Sequence, residues 1–292
     1  MPELPDVAVY IDRLAQRVVG HRLEGVRLLN PFLLRTAVPP IADAVGRTVT
    51  GVERVGKRIV LALEGDLFVV IHLMIAGRLQ WLAPGKSTAR NALAFFAFDS
   101  GTLCLTEAGS KRRASLHLVQ GRTALEALDA GGIDVLAATP EAFAARLVLE
   151  NHTLKRALTD PRLFSGIGNA YSDEILHRAR LSPVTLTRSL DVAEIARLYD
   201  AAQSTLREWT ERLSREAGDW PVKVTAFHPQ MAVHGRYRQP CPVCGSPVQR
   251  IVHAENETNY CARCQTGGKL LADRALSRLL KANWPKSIDD LP

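Results

Sequence analysis

The feature that most restricts what this chain can fold into is a pair of cysteine knuckles near its end. Cys241-Pro-Val-Cys244 and Cys261-Ala-Arg-Cys264 stand 16 residues apart. Each knuckle lets two thiolates converge on one ion, and four thiolates complete the closed tetrahedral shell of structural Zn²⁺. The intervening loop is long enough for a β-hairpin that folds the second knuckle onto the first. With sulfur at all four places no open position is left, so the expected cofactor is one structural zinc ion serving as scaffold. The fifth cysteine, Cys104, lies in an apolar run and is expected to be buried and inert. Four clustered cysteines in an odd total argue for metal in a reducing compartment rather than for a disulfide framework.

The start, MPELPDV, carries acid where a secretory signal carries base and then an apolar run. No stretch approaches the roughly 18 apolar residues that a membrane span needs. A cytoplasmic protein is therefore expected, nucleoid-associated if bacterial, with no membrane partner. At 292 residues the chain suits two compact domains, and 47% hydrophobic with 23% charged residues excludes a disordered or collagen-like chain. A net charge of +7 permits a polyanion partner without proving one.

Helical spacing of Val7, Ile11, Leu14 and Val18, ending at Gly20, predicts a leading helix. Short β-prone runs follow at 22–29, 48–55, 58–63, 67–73, 93–98, 102–106 and 115–119, a density that suggests a β-sandwich or barrel-like domain. Helices are predicted over 140–149, 153–159, 169–180 and 191–216. In the last, Ile195, Leu198, Ala202, Leu206, Trp209 and Leu213 can share a core-facing stripe. A basic helix is predicted near 270–281, where Lys269, Arg274, Arg278 and Lys281 read as a solvated face, with a DNA contact as the alternative. The expected division is an N-terminal domain at 1–127, a hinge at 128–139, a helical domain at 140–232, the zinc ribbon at 233–268 and a basic extension at 269–292.

Three further segments combine with the knuckles: Pro2-Glu3-Leu4-Pro5, Gly166-Ile-Gly-Asn169-Ala-Tyr171-Ser-Asp-Glu174, and Val233-His-Gly235-Arg236 running into the first knuckle. In that order and spacing the chain resembles the formamidopyrimidine-DNA glycosylase and endonuclease VIII family of base-excision repair enzymes, from Pro2 to Gln265. The resemblance implies an α+β multidomain protein: an N-terminal β-sandwich with a leading helix, then a helix–two-turn–helix domain with the zinc ribbon. It implies damaged DNA, duplex or locally unpaired, as partner; nothing in the sequence demands more than a monomer. It also implies removal of a damaged base followed by cleavage of the abasic strand.

The residues support that chemistry in their own right. Once Met1 is removed, Pro2 exposes a secondary α-amine, whose pKa near 8 leaves much of it unprotonated at neutral pH. Such an amine can attack C1′, expel the base and leave an iminium that acidifies the C2′ proton. The neighbouring Glu3 can shuttle protons. Lys57, in Val55-Gly-Lys-Arg58, matches a family lysine that contacts phosphate and assists the chemistry. Lys155 matches another phosphate-contacting lysine. Asn169 follows two glycines that let backbone amides approach a phosphate, and it can both start a helix and bind. Between Lys57 and Arg122 nine basic residues face four acidic ones. Such charge sets affinity and salt dependence but specifies no lesion.

Several positions depart from the family pattern. Asp6 stands where glutamate is usual. The strand end reads His72-Leu-Met74-Ile75-Ala-Gly77, so the residue filling the gap left by a flipped base is Ile75 or a shifted Met74. Lys111-Arg112-Arg113-Ala114-Ser115 replaces Arg-Arg-Phe-Gly; Arg112 is expected to take the orphaned partner base, and the aromatic wedge is missing. In the ribbon hairpin, Asn256 between Glu255 and Glu257 takes the place of a phosphate-binding arginine, and a neutral amide cannot clamp phosphate as a guanidinium does. A bifunctional glycosylase and abasic-site lyase is the leading expectation, because a pure binder has no need of the Pro2 amine. The alternatives are a non-catalytic DNA-damage or junction binding protein on the same fold, and a zinc-ribbon transcription factor. The last lacks a recognition helix with a clear basic stripe.

Overall fold

A computed structural model describes residues 1–83, 89–109, 111–253, 256–272, 279 and 285–290. Its residues group into two compact units, Met1–Ala130 with Trp209–Thr225, and Gly131–Glu208 with Ala226–Pro292.

The first unit opens with α1 (Leu4–Val18), where Pro5 suits the first turn and the Asp6 side chain accepts the Glu3 N–H. Then come β1 (Leu23–Leu28), β2 (Val49–Val55), β3 (Arg58–Leu63), β4 (Leu67–His72), β5 (Gly77–Leu82), β6 (Ala92–Phe98), β7 (Gly101–Glu107) and β8 (Ser115–Gln120). They form two four-stranded antiparallel sheets, ordered β1-β6-β7-β5 and β2-β3-β4-β8. Leu79, Phe96, Leu103 and Leu105 of one sheet and Ile59, Leu61, Val69, Ile71 and Leu118 of the other share one core. Helix α1 adds Val7, Tyr10, Leu14 and Val18 to it. This is the β-sandwich with a leading helix. Strand β4 is an unbroken apolar run because both its faces are covered: Phe68 and Val70 point the other way, against Leu125 of α2 (Arg122–Glu126).

The sequence reading left out β5. Arg78 and Gln80 alternate there with Leu79 and Trp81, the period-two pattern of a strand with one face in the core. The turn before it is tight: Gly77 N–H donates to Leu73 O at 2.9 Å, and a Cβ on Gly77 would stand 2.3 Å from that oxygen.

The second unit holds α3 (Pro140–Leu147), α4 (Leu154–Thr159), α5 (Asn169–Ala179), most of α6 (Val192–Ala217), the hairpin β9 (Gln249–His253) and β10 (Asn256–Tyr260), and α7 (Ala262–Thr266). Helix α3 starts where Thr139 Oγ1 accepts the Ala142 N–H and Pro140 takes the first turn. Phe143 and Phe164 pack at 4.8 Å between ring centroids. The predicted stripe of α6 is buried at Leu198, Ala202, Leu206 and Trp209. From Trp209 onward the chain packs with the first unit, where Trp220 and Val224 join the sandwich core. The predicted basic helix, with Arg274, Arg278 and Lys281, lies outside the described residues. Among the described residues no helix is long and apolar enough to cross a membrane.

Candidate active site and metal centre

The amino end of the first unit is a small buried polar site. Pro2 and Glu3 are buried. Glu3 caps α1, and its N–H donates to Asp6 Oδ2 at 2.8 Å in a capping box. Burial draws the terminal amine of Met1 below its usual pKa; Glu3 and Asp6 oppose this, while Arg78 and Lys57 add to it. The site therefore brings Glu3, Lys57, Asp6 and Arg78 within electrostatic reach of the amino end. Burial also pushes Asp6 up to about 7. A cavity of about 290 Å³ adjoins this carboxyl, lined among others by Val9, Trp220, Lys223 and Val224.

Lys57 sits in the two-residue turn between β2 and β3. Cross-strand from Arg58 is His72, which burial, Arg58 and Lys57 hold down to about 4. The turn after β4 carries Met74 at φ +51° and Ile75, 53% exposed. Arg78 organises this turn: its guanidinium donates to the carbonyls of Gly77 at 2.6 Å, Ile75 at 3.3 Å and Val224 at 2.7 Å. Arg112 is exposed beyond β7. Ala114, where the family pattern has an aromatic, is 4% exposed and belongs to the sandwich core. The backbone N–H groups of Arg113 and Ala114 donate to the buried Glu107 carboxylate, each at 3.0 Å.

Lys155 and Asn169 come together in the second unit. Lys155 Nζ donates to Asn169 O at 2.7 Å and to Asp173 Oδ1 at 2.6 Å. Gly168, not Asn169, is the N-cap of α5. The Asn169 amide instead reaches the ribbon hairpin, donating to Glu257 O at 2.9 Å. Glu174 receives the N–H groups of Ala232, Val233 and His234 at 2.7–3.0 Å. Asn256 is exposed at the start of β10.

The four knuckle sulfurs lie within 4.8 Å of one another, with Cys241–Cys264 at 3.9 Å and Cys244–Cys261 at 3.4 Å. A tetrahedral shell with zinc–sulfur bonds near 2.3 Å has edges of about 3.8 Å, so this donor set fits one structural zinc ion. Cys104 is buried, and burial pushes its thiol up to about 11, which makes it inert.

Sequence reasoning did not find the supporting charges: Glu107, Arg78, Asp173, Glu174 and His234. Glu107 had a signal, being a charged residue inside an otherwise apolar strand; Asp173 and Glu174 lie on α5 among other polar residues and His234 in a turn, where the local pattern gives none. The partners of Asp173, Glu174 and His234, and one of those of Arg78, are distant in sequence, whereas Glu107 is held by amides six and seven residues on.

Comparison with known proteins agrees with this geometry. Residues 1–167 match the formamidopyrimidine-DNA glycosylase N-terminal domain, 133–216 the H2TH domain of the same enzymes, and 238–267 a zinc finger found in FPG and IleRS. A formamidopyrimidine-DNA glycosylase of Thermus thermophilus is 36% identical over 282 residues, 92% of this chain and 100% of that protein. One from Symbiobacterium thermophilum is 32% identical over 274 residues, 91% of this chain and 89% of that protein. Among solved structures, the MutM (Fpg) protein of Thermus thermophilus has a TM-score of 0.77 at 33% identity, covering 90% of this chain and 98% of that one. The Lactococcus lactis Fpg bound to DNA with an abasic site reaches 0.81 at 22% identity over 90% and 99%, a likeness of fold. The N-terminal model spans more than half of the sequence and the relatives align almost end to end, so the chain belongs to the formamidopyrimidine-DNA glycosylase family.

Proposed function

We propose that the chain is a base-excision repair enzyme: a DNA glycosylase that removes a damaged, oxidised base and then cleaves the abasic strand as a lyase. The observation that carries this reading is the buried amino end, within electrostatic reach of Glu3, Asp6, Arg78 and Lys57, with a cavity at the Asp6 carboxyl. Burial favours the unprotonated, nucleophilic form of an amine there. With Met1 removed, the Pro2 nitrogen attacks C1′ of the damaged nucleotide. The C1′–N bond to the base breaks, and the departing base takes a proton delivered through Glu3. The C1′–O4′ bond then opens, with O4′ taking a proton, to give an iminium. This loses its C2′ proton, and the C3′–O bond breaks to release the 5′ phosphate. Hydrolysis of the conjugated iminium by water frees Pro2 and leaves a 3′ unsaturated aldehyde. Lys57 holds a phosphate near the reacting sugar. Asn169 and Lys155 serve the DNA backbone from the second unit, while Ile75 or Met74, together with Arg112, enters the gap left by the flipped nucleotide. The zinc is scaffold, and the working unit is a monomer in the cytoplasm or nucleoid.

The test is cleavage of end-labelled oligonucleotides carrying 8-oxoguanine, an oxidised pyrimidine or an abasic site. Base release and strand scission at the lesion are expected. Tight, lesion-selective binding without scission on any of them would overturn the enzymatic reading in favour of a damage-binding protein.

A further inference from the structure

The sulfurs of the metal cluster do not draw their hydrogen bonds from one source. Cys244 is served from the turn just after its own knuckle, by Ser246, and Cys261 from inside its knuckle, by the N–H of Cys264. Both donors are local to the sulfur they serve, within three residues of it in the chain. Cys241 has a partner from another element. His177 Nε2, 64 residues earlier in the chain and on α5, lies 3.2 Å from its Sγ. His177 is 6% and Cys241 2% exposed, so water does not compete for this contact.

We propose that His177 is a positioning residue for the zinc: its Nε2–H donates to the Cys241 thiolate and ties the metal cluster to helix α5. The direction of the bond follows from the metal. A ligating thiol has lost its proton, so its sulfur can only accept, and the imidazole must supply the hydrogen from Nε2. The bond also meets an electrostatic need. One divalent ion with four thiolates carries a net charge of −2, and buried negative charge is tolerated only where donors are aimed at it.

The place of His177 on α5 adds a mechanical consequence. Asn169, Asp173 and His177 recur every fourth residue, on one face of the helix. All three reach the ribbon: Asn169 to Glu257 O at 2.9 Å, Asp173 from Asn259 N at 3.1 Å, and His177 to Cys241. The first two hold the hairpin strand and the third holds the metal cluster. The metal therefore fixes the same helix whose first residue, Asn169, lies against the hairpin.

The test uses the full chain loaded with zinc, or with cobalt(II) in its place, and two variants. His177→Leu keeps an apolar side chain without a donor, and His177→Gln offers an amide N–H in the region of Nε2. Zinc transfer to the chelator 4-(2-pyridylazo)resorcinol should be about ten- to a hundredfold faster in the leucine variant. Its sulfur-to-cobalt charge-transfer bands should move to lower energy, because a sulfur without its donor is easier to ionise. Glutamine should restore both readouts most of the way. A role in packing alone predicts the opposite order, with leucine resembling the wild type and unmoved bands, and either result overturns the proposal. Should the leucine variant not fold, ¹⁵N spectra of the imidazoles in the wild-type zinc protein decide. A protonated Nε2 at His177 is expected, and a bare Nε2 with the proton on Nδ1 would refute the assignment.

Discussion

Lys155 donates to Asp173 at 2.6 Å, and the carboxylate that receives it has no exposed side-chain surface. The other oxygen of Asp173 holds His234 Nδ1 at 2.7 Å and the Asn259 N–H at 3.1 Å. One buried carboxylate thus joins α4, α5, the segment ahead of the first knuckle, and β10. Removing one partner of a buried pair leaves the other charge uncompensated, at a cost of about 3–5 kcal/mol. Asp173→Asn should therefore lower the stability of the second unit by about that much, seen as a large fall in its thermal midpoint. A midpoint within a degree or two of the wild type would show that the network is not needed.

Asp6 sets a pH dependence of unusual sign. Its carboxyl, raised by burial to about 7, stays protonated in the folded chain between pH 4 and 7, where the unfolded chain has already released the proton. Stability should thus fall as pH rises through this window and level off above 7. Asp6→Asn, which can still accept the Glu3 N–H, should be more stable than the wild type at pH 8, by up to the order of 4 kcal/mol, and equal to it near pH 4. Parallel denaturant curves for the two proteins at both pH values would contradict this.

Removing the zinc, or Cys261→Ser, should abolish DNA binding. Ligation energy is folding energy in a ribbon of this size. Asn169, Asp173 and Glu174 of α5 also hydrogen-bond to the segments that the metal organises. Fluorescence polarisation with labelled lesion DNA reads the effect directly. Unchanged affinity in metal-free protein would refute it.

The substrate side rests on what fills the gap when a nucleotide is flipped. Ala114 is committed to the sandwich core and cannot stack on bases, which leaves Ile75 and Arg112 exposed for the task. Flipping costs a few kcal/mol of stacking and pairing. Activity should accordingly depend weakly on the opposite base and be relatively better where the lesion is already unpaired. With Asn256 in the hairpin, the unsaturated aldehyde should dominate over further elimination. Strong preference for 8-oxoguanine opposite cytosine, with complete further elimination, would contradict both expectations.

The legible part of this molecule was what local pattern encodes. Strand β3 spans the predicted 58–63, and the cysteine spacing foretold the four converging sulfurs. Strand β5 escaped because Arg78 made a core strand look polar, and the reason for that arginine, carbonyls at 75, 77 and 224, is partly 146 residues away. The same holds for Asp173, whose partners come from three other segments, while Glu107 is held by amides of the loop that follows its own strand. Buried charge is legible as an anomaly in sequence, but its compensation is tertiary.

The central claim is that the amine of Pro2 is the nucleophile, and borohydride reduction during reaction with abasic-site DNA tests it most directly. The account predicts a covalent protein–DNA adduct in the processed protein, mapped by mass spectrometry of its peptides to Pro2 and lost in Pro2→Gly. An adduct that persists in that variant, or that maps to Lys57, would contradict it.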